Sequence, residues 1–365
     1  MPANIAHMVI AHKALAHLKE KGFKTLAAFA GMLDDAGGAK HFQAYMNLGS
    51  IGPDLFYYVS LKDSALDMLK DGFVQAAGVT PWAYHLHSHR PNEYPLKLIE
   101  ILFRDVVRKG GKVVLDDDDR RKLSHIAGHL SHIAADQIIH PVVNSIAKPY
   151  YRSGNNRKKH RECEVFQDYF LYEEIYRARR DGLTRKRDKK QYDFFEQKFN
   201  KWADCIPRRT TTQNTKDWFR YFLQRGFAET YGAFPDEDMI EDSVDNLLVI
   251  LKVCTWRGPY KKAAEEYQKD GEKGKMYQEY IKKPGYVKYY ETAVRLTAVY
   301  ITALYEAYSV LKAGKDFAEP QKQRFRSIVN DADLSCPLEQ KIFEKAYEAL
   351  MSDKQMQNKC KGLFN

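Results

Sequence analysis

The chain lacks most of the features that would assign it at a glance. Its five cysteines, Cys163, Cys205, Cys254, Cys336 and Cys360, are odd in number, far apart and form no Cys-x-x-Cys pair. That excludes a disulfide framework and a cysteine zinc site, and it points to a reducing compartment. No apolar run is long enough to span a membrane, because the longest, Leu296 to Leu311, is interrupted by Glu306. The first residues, up to Lys19, are punctuated by His7, His12, Lys13 and His17 and do not read as a signal peptide, so a cytoplasmic location is expected. There is no repeat of fixed period, and alternating strand patterns bounded by hairpin turns are scarce. Histidine is missing altogether beyond residue 160, although the chain holds 12.

What is present describes a helical globule. A hydrophobic fraction of 44%, with 24 Tyr and 19 Phe, is far from the composition of disordered chains. The formal charge of +10 favours polyanionic partners such as phospholipid headgroups or nucleic acid, although the runs Arg157-Lys158-Lys159 and Arg185-Lys186-Arg187 also suit solvated loops. Apolar residues recur at helical spacing over roughly 5–20, 92–109, 119–146, 160–180, 190–204, 215–232, 237–255, 286–313 and 337–351. An all-α fold follows: a multi-helix bundle with a metal cluster in its core. Residues 1–180 read as the metal-binding core. Residues 181–365 read as a helical extension, either a second domain or the outer wall of one bundle, with 180–214 and 260–285 as candidate boundaries or insertions.

The confinement of histidine to the first 160 residues suggests a site assembled there, since neutral imidazole is the commonest protein metal ligand. Within Gly128-His-Leu-Ser-His-Ile-Ala-Ala-Asp-Gln-Ile-Ile-His-Pro141, the residues His132, Asp136 and His140 are four apart. On a helix each such step advances one turn plus about 40°, giving a single slanting polar row. The flanking Ile133, Ala134, Ala135, Ile138 and Ile139 direct that row into a packed interior, where polar groups need partners. A four-residue step rises about 6 Å, so neighbours can share an ion while the two ends serve different ones. Asp136 becomes a bridge. His125 and His129 fall on other faces of the same helix, as surface or supporting residues, and His17 and His41 carry no evident role.

A second row, His160, Glu164 and Asp168, repeats the spacing on an independent helix, set apart by Pro149 and the Gly154-Asn155 turn. Asp168, one turn on, is expected to orient a ligating histidine from behind. In Leu48-Gly-Ser-Ile-Gly-Pro-Asp-Leu-Phe-Tyr-Tyr58, a Gly52-Pro53 turn presents Asp54 rigidly, as a ligand or base or simply as an N-cap aspartate. The segment Tyr84-His-Leu-His-Ser-His89 precedes a predicted helix, and in an extended conformation His85, His87 and His89 would share a face. His87, then His85, are the preferred ligands. The aromatic residues Phe56, Tyr57, Tyr58 and Trp82 are either core or the wall of a substrate cleft, where a choline headgroup would find cation–π partners.

Together these residues resemble the zinc-dependent phospholipase C family, with single-strand zinc nucleases as more distant relatives. The likeness runs over about residues 1–170: His7 near the start, Gly-Ser-Ile-Gly-Pro-Asp-Leu-Phe-Tyr at 49–57, the histidine segment at 85–89, Gly-His-Leu-Ser-His…Asp…His-Pro at 128–141, and His-Arg…Glu…Asp at 160–168. The resemblance implies two or three zinc ions. One would be held by Asp54, His87, His132 and Asp136, a second by His140, His160 and Glu164, and a third by the amino-terminal segment including His7, with Asp136 bridging. It also implies a hydrolase of phospholipids or other phosphate esters that uses a zinc-activated water, with Asp54 as ligand and candidate general base and with peripheral membrane contact.

Other signatures are absent. The chain has no His-Glu-x-x-His of zinc peptidases, no Glu-x-x-His of ferritin-like centres and no His-Asp dipeptide of helical HD-type phosphohydrolases. Two alternatives stay open. One is a nuclease of the same superfamily, although aromatics interleaved with basic residues for stacking bases are not recognisable. The other is a non-catalytic scaffold in which the zincs are fully ligated.

Overall fold

A computed structural model describes residues 4–35, 42–59, 81–109, 112–148, 153–172, 217–257, 259–332 and 341–364. The first half runs as α1 (Asn4–Lys21), α2 (Lys24–Leu33), α3 (Phe42–Leu55), α4 (Pro81–Ser88) and α5 (Glu93–Asp105). A two-stranded antiparallel hairpin follows, β1 (Val107–Lys109) and β2 (Lys112–Val114), paired Val107 to Val114. Then come α6 (Asp117–Ala147) and α7 (Gly154–Phe170). The remainder comprises α8 (Asp217–Tyr231), α9 (Glu237–Arg257), α10 (Pro259–Asp270), irregular helical turns from Gly271 to Lys282, α11 (Tyr286–Lys312), α12 (Glu319–Ile328), α13 (Ile342–Met351) and α14 (Lys354–Lys359). The fold is all-α. Among the described residues no helix is long and apolar enough to cross a membrane.

Helix α6, 31 residues long, is the axis of the bundle. It starts at a capping box: Asp116 accepts the Asp119 amide at 2.8 Å while Asp119 accepts the Asp116 amide at 3.3 Å. A cap of this kind stabilises a helix by about 1 kcal/mol. Asp117 and Asp118 add negative charge where the helix dipole is positive. From Leu123 to Ile139 every α6 residue is buried, as expected of a helix surrounded by others.

The tightest contact is the crossing of α3 over α6. A Cβ on Gly49 would lie 2.1 Å from the His125 carbonyl oxygen, and one on Gly128 would lie 2.0 Å from that of Met46. The two backbones therefore touch directly, and only glycine permits that approach. Pro53 lies inside α3 and Pro141 inside α6. The Gly52-Pro53 turn expected from the sequence is therefore not a turn. Pro53 sits in the last turn of α3, where one missing intrahelical bond costs little because the chain continues as a 3₁₀ turn at Phe56–Tyr58.

Other expectations are adjusted in the same way. The helix predicted over 92–109 stops at Asp105, and the β-branched pair at Val107 and Val114 enters the hairpin. Helix α7 begins at Gly154, earlier than residue 160, with the Ser153 hydroxyl accepting the Asn156 amide at 3.1 Å. The polar stretch 260–285 is helical and lies against α7: Lys262 pairs with Glu162 at 2.8 Å, and Gln167 donates to the Tyr280 carbonyl at 3.2 Å. Helix α11 packs along α6, with the Tyr300 hydroxyl donating to Gln137 Oε1 at 2.7 Å. The predicted helix over 190–204, the run at 185–190, Pro149 and His41 lie outside the described residues.

Candidate metal centre

Three buried carboxylates and five histidines converge where α1, α3, α4, α6 and α7 meet. From α3, Asp54 Oδ1 lies 3.1 Å from His87 Nε2 of α4. From α6, His132 Nε2 lies 3.3 Å from His87 Nε2 and 3.2 Å from Asp136 Oδ2. The other oxygen of Asp136 faces the opposite way, 3.3 Å from His7 Nε2 of α1 and 3.3 Å from His140 Nε2. On α7, Glu164 Oε1 is 3.0 Å from His160 Nε2 and 3.5 Å from His140 Nε2. Three sets each have their donor atoms within 4.8 Å of one another: His7, His132 and Asp136; Asp54, His87 and His132; and His140, His160 and Glu164. Asp136, with one oxygen toward each side, lies between the groups.

The protons of this cluster are partly fixed by its neighbours. His87 Nδ1 is 2.7 Å from the Ala83 carbonyl, and His132 Nδ1 is 2.9 Å from that of Ser50. A ring nitrogen facing a carbonyl oxygen must carry the proton, so in each neutral ring Nε2 presents a lone pair. Two lone pairs 3.3 Å apart, flanked by carboxylate oxygens, repel one another unless a cation lies between them. Asp54 Oδ2 and Asp136 Oδ2 are buried and accept no hydrogen bond among the described residues. A donor set of imidazole nitrogens and carboxylate oxygens with no thiolate, with His87 and His132 each oriented by a carbonyl behind the ring, suits a divalent ion such as zinc.

The electrostatics agree. Burial, reinforced by His132, lowers His7 from 6.5 to about 4, so its ring is neutral at physiological pH. Burial works the same way on His140, but Asp136 and Glu164 outweigh it and push that ring up to about 9. His132 is also raised, Asp136 and Asp54 overcoming its burial. Burial alone would raise Asp136 and Glu164, yet the surrounding histidines hold both well below the usual carboxylate range. The buried charges of Asp136 and Glu164 thus demand positive charge in the centre, which protons or metal ions can provide.

Several residues stand elsewhere than the sequence suggested. His85 is turned away: residues 81–88 are helical, so alternate residues do not share a face, and the His85 ring stacks on Tyr231 at 5.0 Å. His87 alone of the three enters the centre. Asp168 accepts the amides of Ile5 at 3.2 Å and Ala6 at 2.7 Å, anchoring the first turn of α1 and hence His7. His125 and His129 are buried, not superficial. They line a small enclosed space with Gly52, Tyr94 and Phe227, and burial lowers His125 to about 3 and His129 well below 6.5. Phe56 and Tyr58 are core, while Tyr57 and Trp82 are half-buried, the Tyr57 ring 5.5 Å from that of His87. The Ala83 and Ser50 carbonyls escaped the sequence reading. Reading 81–88 as a helix, with Pro81 in its first turn as the start signal, would have placed Ala83 one turn before His87.

No curated protein and no solved structure matches the chain. The family model described as zinc-dependent phospholipase C matches residues 6–226, which contain every residue of the centre. The chain belongs to the zinc-dependent phospholipase C family.

Proposed function

We propose that the chain hydrolyses phosphate esters of the phospholipid class at this buried centre, and that His87, His132, Asp54 and Asp136 hold one zinc. His140, His160 and Glu164 hold a second, and His7 with the outer oxygen of Asp136 contributes to a third. The observation that carries this reading is the convergence of the His87 and His132 Nε2 atoms on two buried carboxylates. The chemistry such ions supply is Lewis acidity, which neutralises phosphate charge and makes water nucleophilic near neutral pH.

The protein's own groups do the rest. The Ala83 and Ser50 carbonyls keep two imidazoles in one tautomer and orientation. Asp54, fixed inside α3 beside Pro53, turns an oxygen with no hydrogen-bond partner toward the centre and is placed to take the proton of an attacking water. Burial of the cluster strengthens each of these interactions by excluding solvent. His140, with 17% of its side chain exposed, is the ligand nearest solvent.

The test is hydrolysis of bis-p-nitrophenyl phosphate and of phosphatidylcholine vesicles by the zinc-loaded protein. Asp54→Asn should retain the fold and lose roughly 100-fold or more of the activity. If fully loaded wild-type protein leaves both substrates intact, the reading gives way to a metal-stabilised scaffold.

A further inference from the structure

The family match ends at residue 226, yet the residue that follows the bridging Asp136 is held from well beyond that point. Gln137, 2% exposed, accepts the Tyr300 hydroxyl at 2.7 Å and donates to the Asn330 carbonyl at 3.0 Å and the Ala332 carbonyl at 3.4 Å. The Tyr300 hydroxyl in turn accepts the Asn330 amide at 3.2 Å, and Asn330 Oδ1 accepts the Ala332 amide at 2.8 Å. Helix α11 and the turn after α12 thus close one hydrogen-bonded ring on a flank of α6, about 100° round the helix from Asp136. The same turn reaches the corner that follows His87: Asn92 Nδ2 donates to the Val329 carbonyl at 3.0 Å, and Arg326 pairs with Glu93 at 2.5 and 3.1 Å.

The effect of such a hold follows from helix geometry. His132, Asp136 and His140 ride on one rigid helix, and side-chain ends lie roughly 6 Å from its axis. A turn of α6 by about 10° about that axis would displace all three by about 1 Å, more than the roughly 0.5 Å a preorganised site tolerates. The Gly49–Gly128 crossing holds α6 against α3, and three directional hydrogen bonds to one buried amide add a restraint on rotation from the opposite partner, α11 and the turn after α12.

We propose that the Tyr300–Gln137–Asn330 latch is a positioning element of the metal centre: the part of the chain beyond residue 226 sets the rotation of α6, and through Asn92 the approach of His87. This rests on the reading that the centre binds zinc. Tyr300 and Gln137 touch no ion; they act through Asp136 and its row.

The experiment measures zinc affinity by chelator competition, the visible spectrum of the cobalt-substituted protein, and melting of the metal-free protein. The variants are Tyr300→Phe, Gln137→Met and Asn330→Ala. The last alters only the supporting turn and guards against loss of folding. Thr302→Val is the control, equally buried on α11 but bonded only to the Ala298 carbonyl of its own helix at 2.7 Å. Each latch variant should bind zinc roughly 10-fold or more weakly and shift the cobalt absorption bands, and the control should do neither. Latch variants that melt earlier yet keep wild-type zinc affinity and cobalt spectrum would reduce the latch to ordinary packing. Wild-type protein that takes up neither metal would overturn the metal reading itself, and the latch with it.

Discussion

Helix α6 carries four buried or nearly buried histidines in two pairs, and the pairs behave oppositely. His125 and His129 face Gly52, Phe219 and Tyr94, have no carboxylate beside them, and are driven toward the neutral form by burial. His132 is just as enclosed and His140 nearly so, yet Asp136, Asp54 and Glu164 raise both. One helix and one residue type therefore give two kinds of histidine. The difference is made by what the neighbouring helices bring: α3 offers a glycine to the first pair and an aspartate to the second.

The comparison is broken most severely at the crossing on which both pairs depend. Gly128→Ala forces a methyl into the Met46 carbonyl, with no side chain able to yield, and should cost roughly 3 kcal/mol or more in urea unfolding, along with zinc uptake. Wild-type stability in that variant would mean that α3 and α6 are less tightly apposed.

A smaller effect sharpens the contrast, and it is read in metal-free protein. His125 is depressed from 6.5 to about 3, so the unfolded state takes the proton first; stability should fall as pH drops below 6.5, at roughly 1.4 kcal/mol per unit. His140 is raised to about 9, so its contribution is complete below 6.5 and is lost as pH climbs through 9. The melting temperature should therefore peak near pH 6.5. Between pH 5 and 6.5, above the carboxylate range, His125→Gln should flatten the acid limb; between pH 6.5 and 9, His140→Gln should flatten the alkaline one. Addition of zinc should raise stability most on the alkaline side, because there the ion no longer competes with a proton on His140.

The smallest effect is expected outside both pairs. His85 stacks on Tyr231 away from the centre, so His85→Ala should leave zinc content and phosphodiester hydrolysis within about twofold of wild type. A lost equivalent of zinc would return His85 to the ligand set.

The two rows were legible because helical periodicity is a short-range property: four-residue spacing among apolar neighbours dictates which side chains share a stripe. The all-α architecture was legible for the same reason. What escaped depended on partners. Helix α3 hid behind Gly-Ser-Ile-Gly-Pro, whose glycines and proline signal a turn locally but serve a helix–helix contact in the fold. Residues 85–89 are too few for a period to show, and the helical answer follows only when Pro81 is taken as the start of a turn. Asp168 kept the spacing of the row, but which chain segment it meets, the first amides of α1, was visible only in the fold. Spacing specifies a face; only the fold says what that face meets.

The Gly49–Gly128 crossing has a consequence for how this sequence can drift. Most core contacts join two side chains, so a larger residue on one side can be offset by a smaller one opposite, and lineages can exchange bulk across the pair. Here each glycine meets main chain, which no mutation can trim. The two positions are closed to such exchange, and the rest of the bundle must vary around them.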